Sequence, residues 1–231
     1  YKTIGKIVDE SPFFNYILEG LNSSLTDYGY NLSFVYMNRS TPLEVQEMQL
    51  RSSDCKGFLI FGVEMQREDL QVFIDTGLPF VVLDNSFQDS DVDSVSINNF
   101  QGISKAMQYA YDMGHREIGY IRCRERITSF SERYQAYKNC MKKFGLKIKE
   151  SYIWDVNYSE KTIREEVGKY LSENNENPTI FIAENDFIAC HAIHGMQDNG
   201  YRVPEDISVI GFDDRPVCQM IVPSVTTVKC S

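Results

Sequence analysis

Along most of the chain, apolar runs of strand length alternate with stretches whose apolar residues recur every three or four positions. That alternation is the grammar of βαβ units feeding a parallel sheet. The first run, 3–8, is followed by Pro12, suited to a helix's first turn, and Phe14, Ile17, Leu18, Leu21, Leu25 and Tyr28 then share a helical face until Gly29 ends it. The pattern next predicts a strand over 31–37, a helix from the pair Thr41 and Pro42 to about 51, a strand over 57–61, a helix over 67–76 and a strand over 80–83. The polar, acidic tract 84–93 has no periodicity and reads as a surface loop and a seam.

Beyond the seam the grammar restarts. A strand over 95–97 leads to a helix over 100–113 with Gly114 as its stop, a strand over 118–121, and a helix over 129–144. Phe130, Tyr134, Tyr137, Met141 and Phe144 step by four, three, four and three along that last helix. A short strand near Ile153, a helix over 159–174, a strand over 179–183, a helix over 187–199, a strand over 207–212 and an extended run over 224–229 complete the pattern. The second half repeats the first, with no short-period repeat, so the expected fold is α/β, two doubly wound parallel-sheet lobes. We expect lobes at 1–97 and 98–225, with 226–231 crossing back toward the first.

Composition narrows the class. At 42% hydrophobic and 24% charged, the 231-residue chain can build a core and is too varied for disorder or a coiled coil. No window approaches the roughly 18 apolar residues of a membrane span, and the start lacks a signal peptide's basic flank and apolar run, so a cytoplasmic protein with no membrane partner is expected. The 33 acidic against 23 basic residues give a net charge of -10, which repels a polyanion and argues against nucleic acid binding by this stretch itself. Six cysteines, Cys55, Cys123, Cys140, Cys190, Cys218 and Cys230, form no C-x-x-C pair and read as free buried thiols. The chain opens on Tyr1 and is expected to be a fragment.

Enzyme signatures are lacking: there is no G-x-S-x-G, G-x-x-x-x-G-K-[ST], H-E-x-x-H or G-x-G-x-x-G after the first strand, so neither catalysis nor a cofactor is expected. His191 and His194 sit three apart on a predicted helix without an acidic or cysteine partner at matching spacing, so they read as structural rather than as metal ligands. Cys190 likewise reads as structural rather than as a nucleophile.

Five stretches carry more: DESPFFNYILEGL at 9–21, NNFQGISKAMQYAYDMGHREIGYI at 98–121, SERYQAYKNCMKKFGL at 131–146, NPTIFIAENDFIACHAIHGMQDNGYRVPEDISVIGFDD at 177–214 and PSVTTV at 223–228. Together, in collinear order over essentially the whole chain, they resemble the lactose/galactose repressor (LacI/GalR) family of bacterial transcription regulators. The resemblance implies a periplasmic-binding-protein-like effector domain with a ligand cleft between its lobes, a homodimer, and operator DNA bound only through an N-terminal helix-turn-helix that is absent here. A family member continues past TTV with a segment that completes the first lobe, so that lobe is expected to be incomplete. A periplasmic sugar-binding protein of a transporter shares the fold and is the alternative; the scattered cysteines, GFDD and PSVTTV argue against it.

The same resemblance supplies ligand residues, each with a plainer reading. Arg133 takes the place of the family's ligand arginine and offers a planar donor fork; otherwise it is a surface arginine on an amphipathic helix. Asn185 and Asp213 lie just past predicted strand ends, where open α/β sheets place ligands, but can serve as a helix cap and a turn residue. Asp84 ends a first-half strand and can simply start a loop. Phe14 and Tyr158 are the expected stacking aromatics, or core. A site of carboxylate acceptors and a guanidinium fork matches adjacent hydroxyls better than a purine, so a small sugar is the expected effector. Arg133→Ala and Asp213→Ala are each expected to weaken ligand binding by about 2 kcal/mol or more while the fold survives. No metal is expected. Met220, Ile221 and Val222 beside GFDD, apolar where no core strand is required, are the expected dimer contact.

Overall fold

Strands with apolar residues on both faces must be covered on both sides, and that requirement organises the chain. A computed structural model describes residues 13–87, 89–174 and 176–230, with side chains described from residue 17 onward. The predicted strand 3–8 and Pro12 lie outside the described residues, as does the side chain of Phe14. The chain divides into two units, Tyr1–Ser96 and Ile97–Ser231.

In the first unit, β1 (Phe58–Phe61), β2 (Phe80–Leu83) and β3 (Ser94–Val95) form a parallel sheet in that order. Helices α1 (Phe13–Asp27) and α2 (Leu43–Arg51) follow the predicted periodicity. The helix predicted over 67–76 is instead a 3-10 turn, Arg67–Leu70, running into one turn of α-helix, α3 (Gln71–Ile74). Asp69 draws the turn tight by accepting from the Gln66 backbone N–H at 2.8 Å. Met37, Leu50, Ile60, Met65, Leu70, Val72, Phe73 and Val82 make the core. The strand predicted over 31–37 is not formed; the described residues show only a bridge at Asn38. A strand exists through its neighbours' hydrogen bonds, and the predicted strand 3–8 is outside the described residues.

The second unit is a five-stranded sheet, every pair parallel. Its strands are β4 (Ile118–Cys123), β5 (Ile153–Val156), β6 (Ile180–Ala183), β7 (Ser208–Asp213) and β8 (Thr226–Lys229), in the spatial order β5-β4-β6-β7-β8. Helices α4 (Asn99–Asp112), α5 (Thr128–Lys143), α6 (Glu160–Glu173) and α7 (Asp186–Asp198) alternate with them, each within one or two residues of its predicted bounds. The α5 ridge does what its spacing requires: Phe130, Tyr137 and Met141 are buried, and the Tyr137 hydroxyl donates to the Ile118 carbonyl at 2.8 Å. β6 is buried at every position, as an inner parallel strand must be.

The order of the strands decides where function belongs. From β4 the chain moves to one side, β5, then crosses over β4 to β6 and continues outward through β7 and β8. The direction of winding thus reverses between β4 and β6, and open α/β sheets bind ligands at the carboxyl ends of the strands flanking such a reversal.

Candidate functional site

At that edge stand Cys123 at the end of β4, Glu184 and Asn185 just past β6, and Asp213 at the end of β7. Arg133 reaches them from the second turn of α5. It is 4% exposed, so the reading of a surface arginine fails, and its fork is fully directed. Nε donates to Asn99 Oδ1 at 2.8 Å, Nη1 to the Glu184 carbonyl at 2.6 Å, and Nη2 faces Asp213 Oδ1 at 3.3 Å. The guanidinium plane lies over the Phe212 ring, 3.7 Å from its centroid, where the π face favours a cation. Asn99 in turn donates to Glu132 at 2.7 Å, which orients the oxygen Arg133 uses. A guanidinium has five N–H donors and these contacts engage three.

The other expected ligand residues divide. Asn185 does what its plainer reading required: Oδ1 caps α7 by accepting from the Ile188 N–H at 3.0 Å, and Nδ2 donates to the Tyr158 hydroxyl at 2.9 Å. Tyr158 is buried in a ring cluster, stacked on Phe187 at 4.6 Å with Phe130 at 6.4 Å, and burial pushes its phenol up from the ordinary value. Asp213 and Asp214 have φ of 114° and 57°, and Asp84, at the end of β2 in the first unit, has φ of 59°. All three occupy the left-handed region that L-residues avoid, and such backbone clusters at ligand sites.

Two carboxylates escaped the sequence reading. Glu184 is 0% exposed, and its side chain ties down the turn after β4: Oε2 accepts from the Cys123 N–H at 2.6 Å and Oε1 from Arg126 Nη1 at 2.7 Å. Arg126 also donates to the Cys123 carbonyl at 3.0 Å. Burial raises the Glu184 carboxyl from 4.5 to about 7, against the opposing pull of Arg126 and Arg133. The Tyr120 hydroxyl, buried without a partner, is pushed up by its own burial and by the Glu184 charge. Asp186, also buried, accepts from the Arg215 N–H at 2.7 Å and the Thr227 hydroxyl at 2.5 Å, joining the start of α7 to the turn after β7 and to β8. Only glycine fits opposite it, since a Cβ on Gly211 would lie 2.2 Å from Asp186 Oδ1. The available signal was the run Glu184, Asn185, Asp186 between an apolar strand and a helix, of which only Asn185 was read as functional.

A parallel sheet whose reversal point carries a buried arginine fork, facing carboxylates and left-handed aspartates defines a small-molecule-binding α/β domain. Comparison with known proteins agrees. The periplasmic binding protein-like domain matches residues 107–231, more than half of the chain. The HTH-type transcriptional repressor PurR of Actinobacillus pleuropneumoniae serotype 3 (strain JL03) is 28% identical over 100% of this chain and 69% of its own length. Catabolite control protein A of Priestia megaterium is 26% identical over 98% of this chain and 69% of its own. Among solved structures, a complex of the transcriptional regulator CelR with cellobiose has a TM-score of 0.85 at 23% identity, covering 99% of this chain and 70% of that one. A LacI family regulator from Enterococcus faecium with bound ribose has a TM-score of 0.79 at 21% identity, covering 99% and 82%. The chain belongs to the periplasmic binding protein-like domain family, as the effector-binding domain of a LacI-type transcriptional regulator. The PurR relatives are transcriptional repressors, and the transporter alternative is not favoured. Among the described residues no helix is long and apolar enough to cross a membrane.

Proposed function

We propose that the effector is a small neutral sugar, held at the carboxyl edge of the second sheet by Arg133 and Asp213, and that its binding changes the operator affinity of the full-length repressor in the cytoplasm. The observation that carries this reading is the charge pairing of the site. Arg133 faces Asp213 at 3.3 Å and Arg126 holds Glu184 at 2.7 Å, so neither arginine is left as a bare cation for an anionic ligand. What the edge offers instead is donors and acceptors side by side, the complement of adjacent hydroxyls. Asn185 and Tyr158 serve this reading by fixing the start of α7, and Asp84 keeps its place as the first unit's candidate. The test is calorimetry of the chain against mono- and disaccharides, hypoxanthine and guanine. We expect saturable binding of a sugar, weakened at least tenfold by Asp213→Ala, on the scale of about 1.5 kcal/mol or more for a lost charge-assisted hydrogen bond. Tight binding of a purine, or a sugar affinity that Asp213→Ala leaves unchanged, overturns the proposal.

The same reading makes the regulator a homodimer. Met220 and Val222, 79% and 83% exposed, follow the 3-10 turn Pro216–Gln219 with Ile221 half-buried between them, and apolar groups in such a position suit a contact with a second copy. Sedimentation equilibrium is expected to show dimers of the chain that Met220→Asp weakens at least tenfold; a wild-type monomer at high concentration, or a dimer indifferent to the substitution, rules this contact out.

A further inference from the structure

The net charge of -10 is not spread evenly over the second unit. From Lys138 to Lys149 the chain carries five lysines and no acidic residue. Elsewhere in this unit exposed cations sit on carboxylates, Lys161 on Glu165, Lys169 on Glu173 and Arg202 on Asp206 among them. Among the described residues no carboxylate pairs with Lys105, Arg116, Lys138, Lys142, Lys143 or Lys147, and all six belong to α4, α5 and the turns that follow them. The two helices form one layer, joined by Tyr111 stacked on Phe144 at 4.5 Å and by the Asn99 bond to Glu132. The layer's own carboxylates are already engaged: Asp112 accepts from Gln108 Nε2 at 2.9 Å, and Glu132 accepts from Asn99. Glu117, just before β4, is held by Lys149 at 2.9 Å. The negative end of a helix attracts cations, which accounts for Lys142 and Lys143 but not for Lys105, Arg116, Lys138 or Lys147.

The end of this layer is firmly built. The Arg116 guanidinium lies 3.7 Å from the Tyr111 centroid and the Lys143 ammonium 5.6 Å from that of Phe144, so a cation stands at each end of the stacked pair. Arg116 Nη1 also donates to the Tyr111 carbonyl at 2.8 Å. Gly145, at φ 68°, closes the turn after α5, with its N–H on the Lys142 carbonyl at 3.1 Å and the Leu146 N–H on the Met141 carbonyl at 2.9 Å. On the last turn of α4 and just past it, Tyr109 and Met113 are 51% and 64% exposed. Arg116 leads into β4 and Lys147 toward β5, so the patch lies at the amino edge of the sheet, opposite the edge of Arg133 and Asp213.

We propose that the α4–α5 layer is a docking surface for an acidic segment of a partner protein, one that carries apolar side chains among its carboxylates. The carboxylates complement the unpaired cations, and the apolar side chains cover Tyr109 and Met113, residue types enriched at the centres of interfaces. Nucleic acid fits less well. The negative charge of the rest of the chain repels a polyanion longer than the patch, and the faces of Tyr111 and Phe144 are spent on each other and on their cations, leaving none for a base. A partner docked here leaves the carboxyl edge open, so the surface serves the regulator with or without its effector, whatever that effector is.

The experiment is fluorescence anisotropy with a labelled peptide alternating Glu and Asp with Leu and Phe, a version with lysine in place of every acidic residue, and an oligodeoxythymidylate of the same charge as the acidic peptide. The wild-type chain is expected to bind the acidic peptide saturably, less tightly as salt rises, and to leave the basic peptide free. Lys143→Glu combined with Lys147→Glu is expected to weaken binding by about tenfold or more, and Met113→Ser by a smaller factor. Lys161→Glu combined with Lys169→Glu changes the net charge equally but on α6, and is expected to leave the affinity unchanged. All these side chains are exposed, so the variants should keep the wild-type Tm. The proposal is overturned if the acidic peptide fails to saturate at about millimolar concentration, if the α6 variant loses as much affinity, or if the oligonucleotide binds more tightly than the peptide. It is overturned too if sedimentation shows that Lys143→Glu with Lys147→Glu abolishes self-association, which would give the surface to a second copy of the chain.

Discussion

Replacing Arg133 with alanine is expected to cost about 3 kcal/mol of folding stability, a larger effect than any loss of ligand contact. From sequence alone the residue is a ligand contact whose removal the fold ignores. The structure makes it a buried cation with three polar partners and an aromatic face, and alanine leaves Asp213, the Asn99 side-chain oxygen and the Glu184 carbonyl short of a donor. Arg133→Lys keeps the charge but cannot span all three, so it should recover part of the loss. Urea unfolding of the three proteins gives the measurement; a loss below about 1 kcal/mol for alanine would mean that water replaces the fork, and the site would then be far wetter than its burial indicates.

Stability should also fall as pH rises through neutrality, with Glu184 as the main source. Its carboxyl titrates at 4.5 in the unfolded chain and is raised by burial to about 7 in the folded one. Below the lower value both states are protonated and the contribution is fully present. Between the two, the folded state holds a proton that the unfolded state has released, so stability is lost progressively as pH climbs, by about 3 kcal/mol once above the folded value. Glu184→Gln removes the titration and should flatten the curve. The comparison of the two proteins matters, because His115 and His191, held low by burial, gain stability with rising pH over part of the same range. Urea midpoints at pH 5, 6, 7 and 8 decide it, and parallel curves for wild type and Glu184→Gln would return Glu184 to an ordinary carboxylate.

What sequence could and could not disclose follows from how local each feature is. The α5 ridge and the strand runs of the second unit are written in short-range spacing, and were legible to within a residue or two. Arg133 and Asp213 were singled out through resemblance, Arg133 in a helical motif and Asp213 in one that marks a strand end. The 31–37 strand was not, because an extended run becomes a strand only through a neighbour's register. Glu184 was hidden for a similar reason. Its burial comes from β6 lying against β4, with Ile121 opposite Ala183, which brings the Cys123 N–H and Arg126 to its carboxylate from some 60 residues away. Asn185 shows the limit of residue-type reasoning: an amide able to bind hydroxyls is already engaged with its own helix and with Tyr158.

The positive φ angles at Asp213 and Asp214 set the alphabet from which evolution can draw at the end of β7. Glycine, asparagine and aspartate are the residues that tolerate such backbone, and of these aspartate alone supplies a carboxylate facing a buried guanidinium. Conformation and charge therefore select the same side chain independently. A lineage that changed its effector would find this corner hard to rewrite one substitution at a time, and new specificity would have to enter through the neighbouring turns, where the backbone is permissive and the side chains are not yet committed.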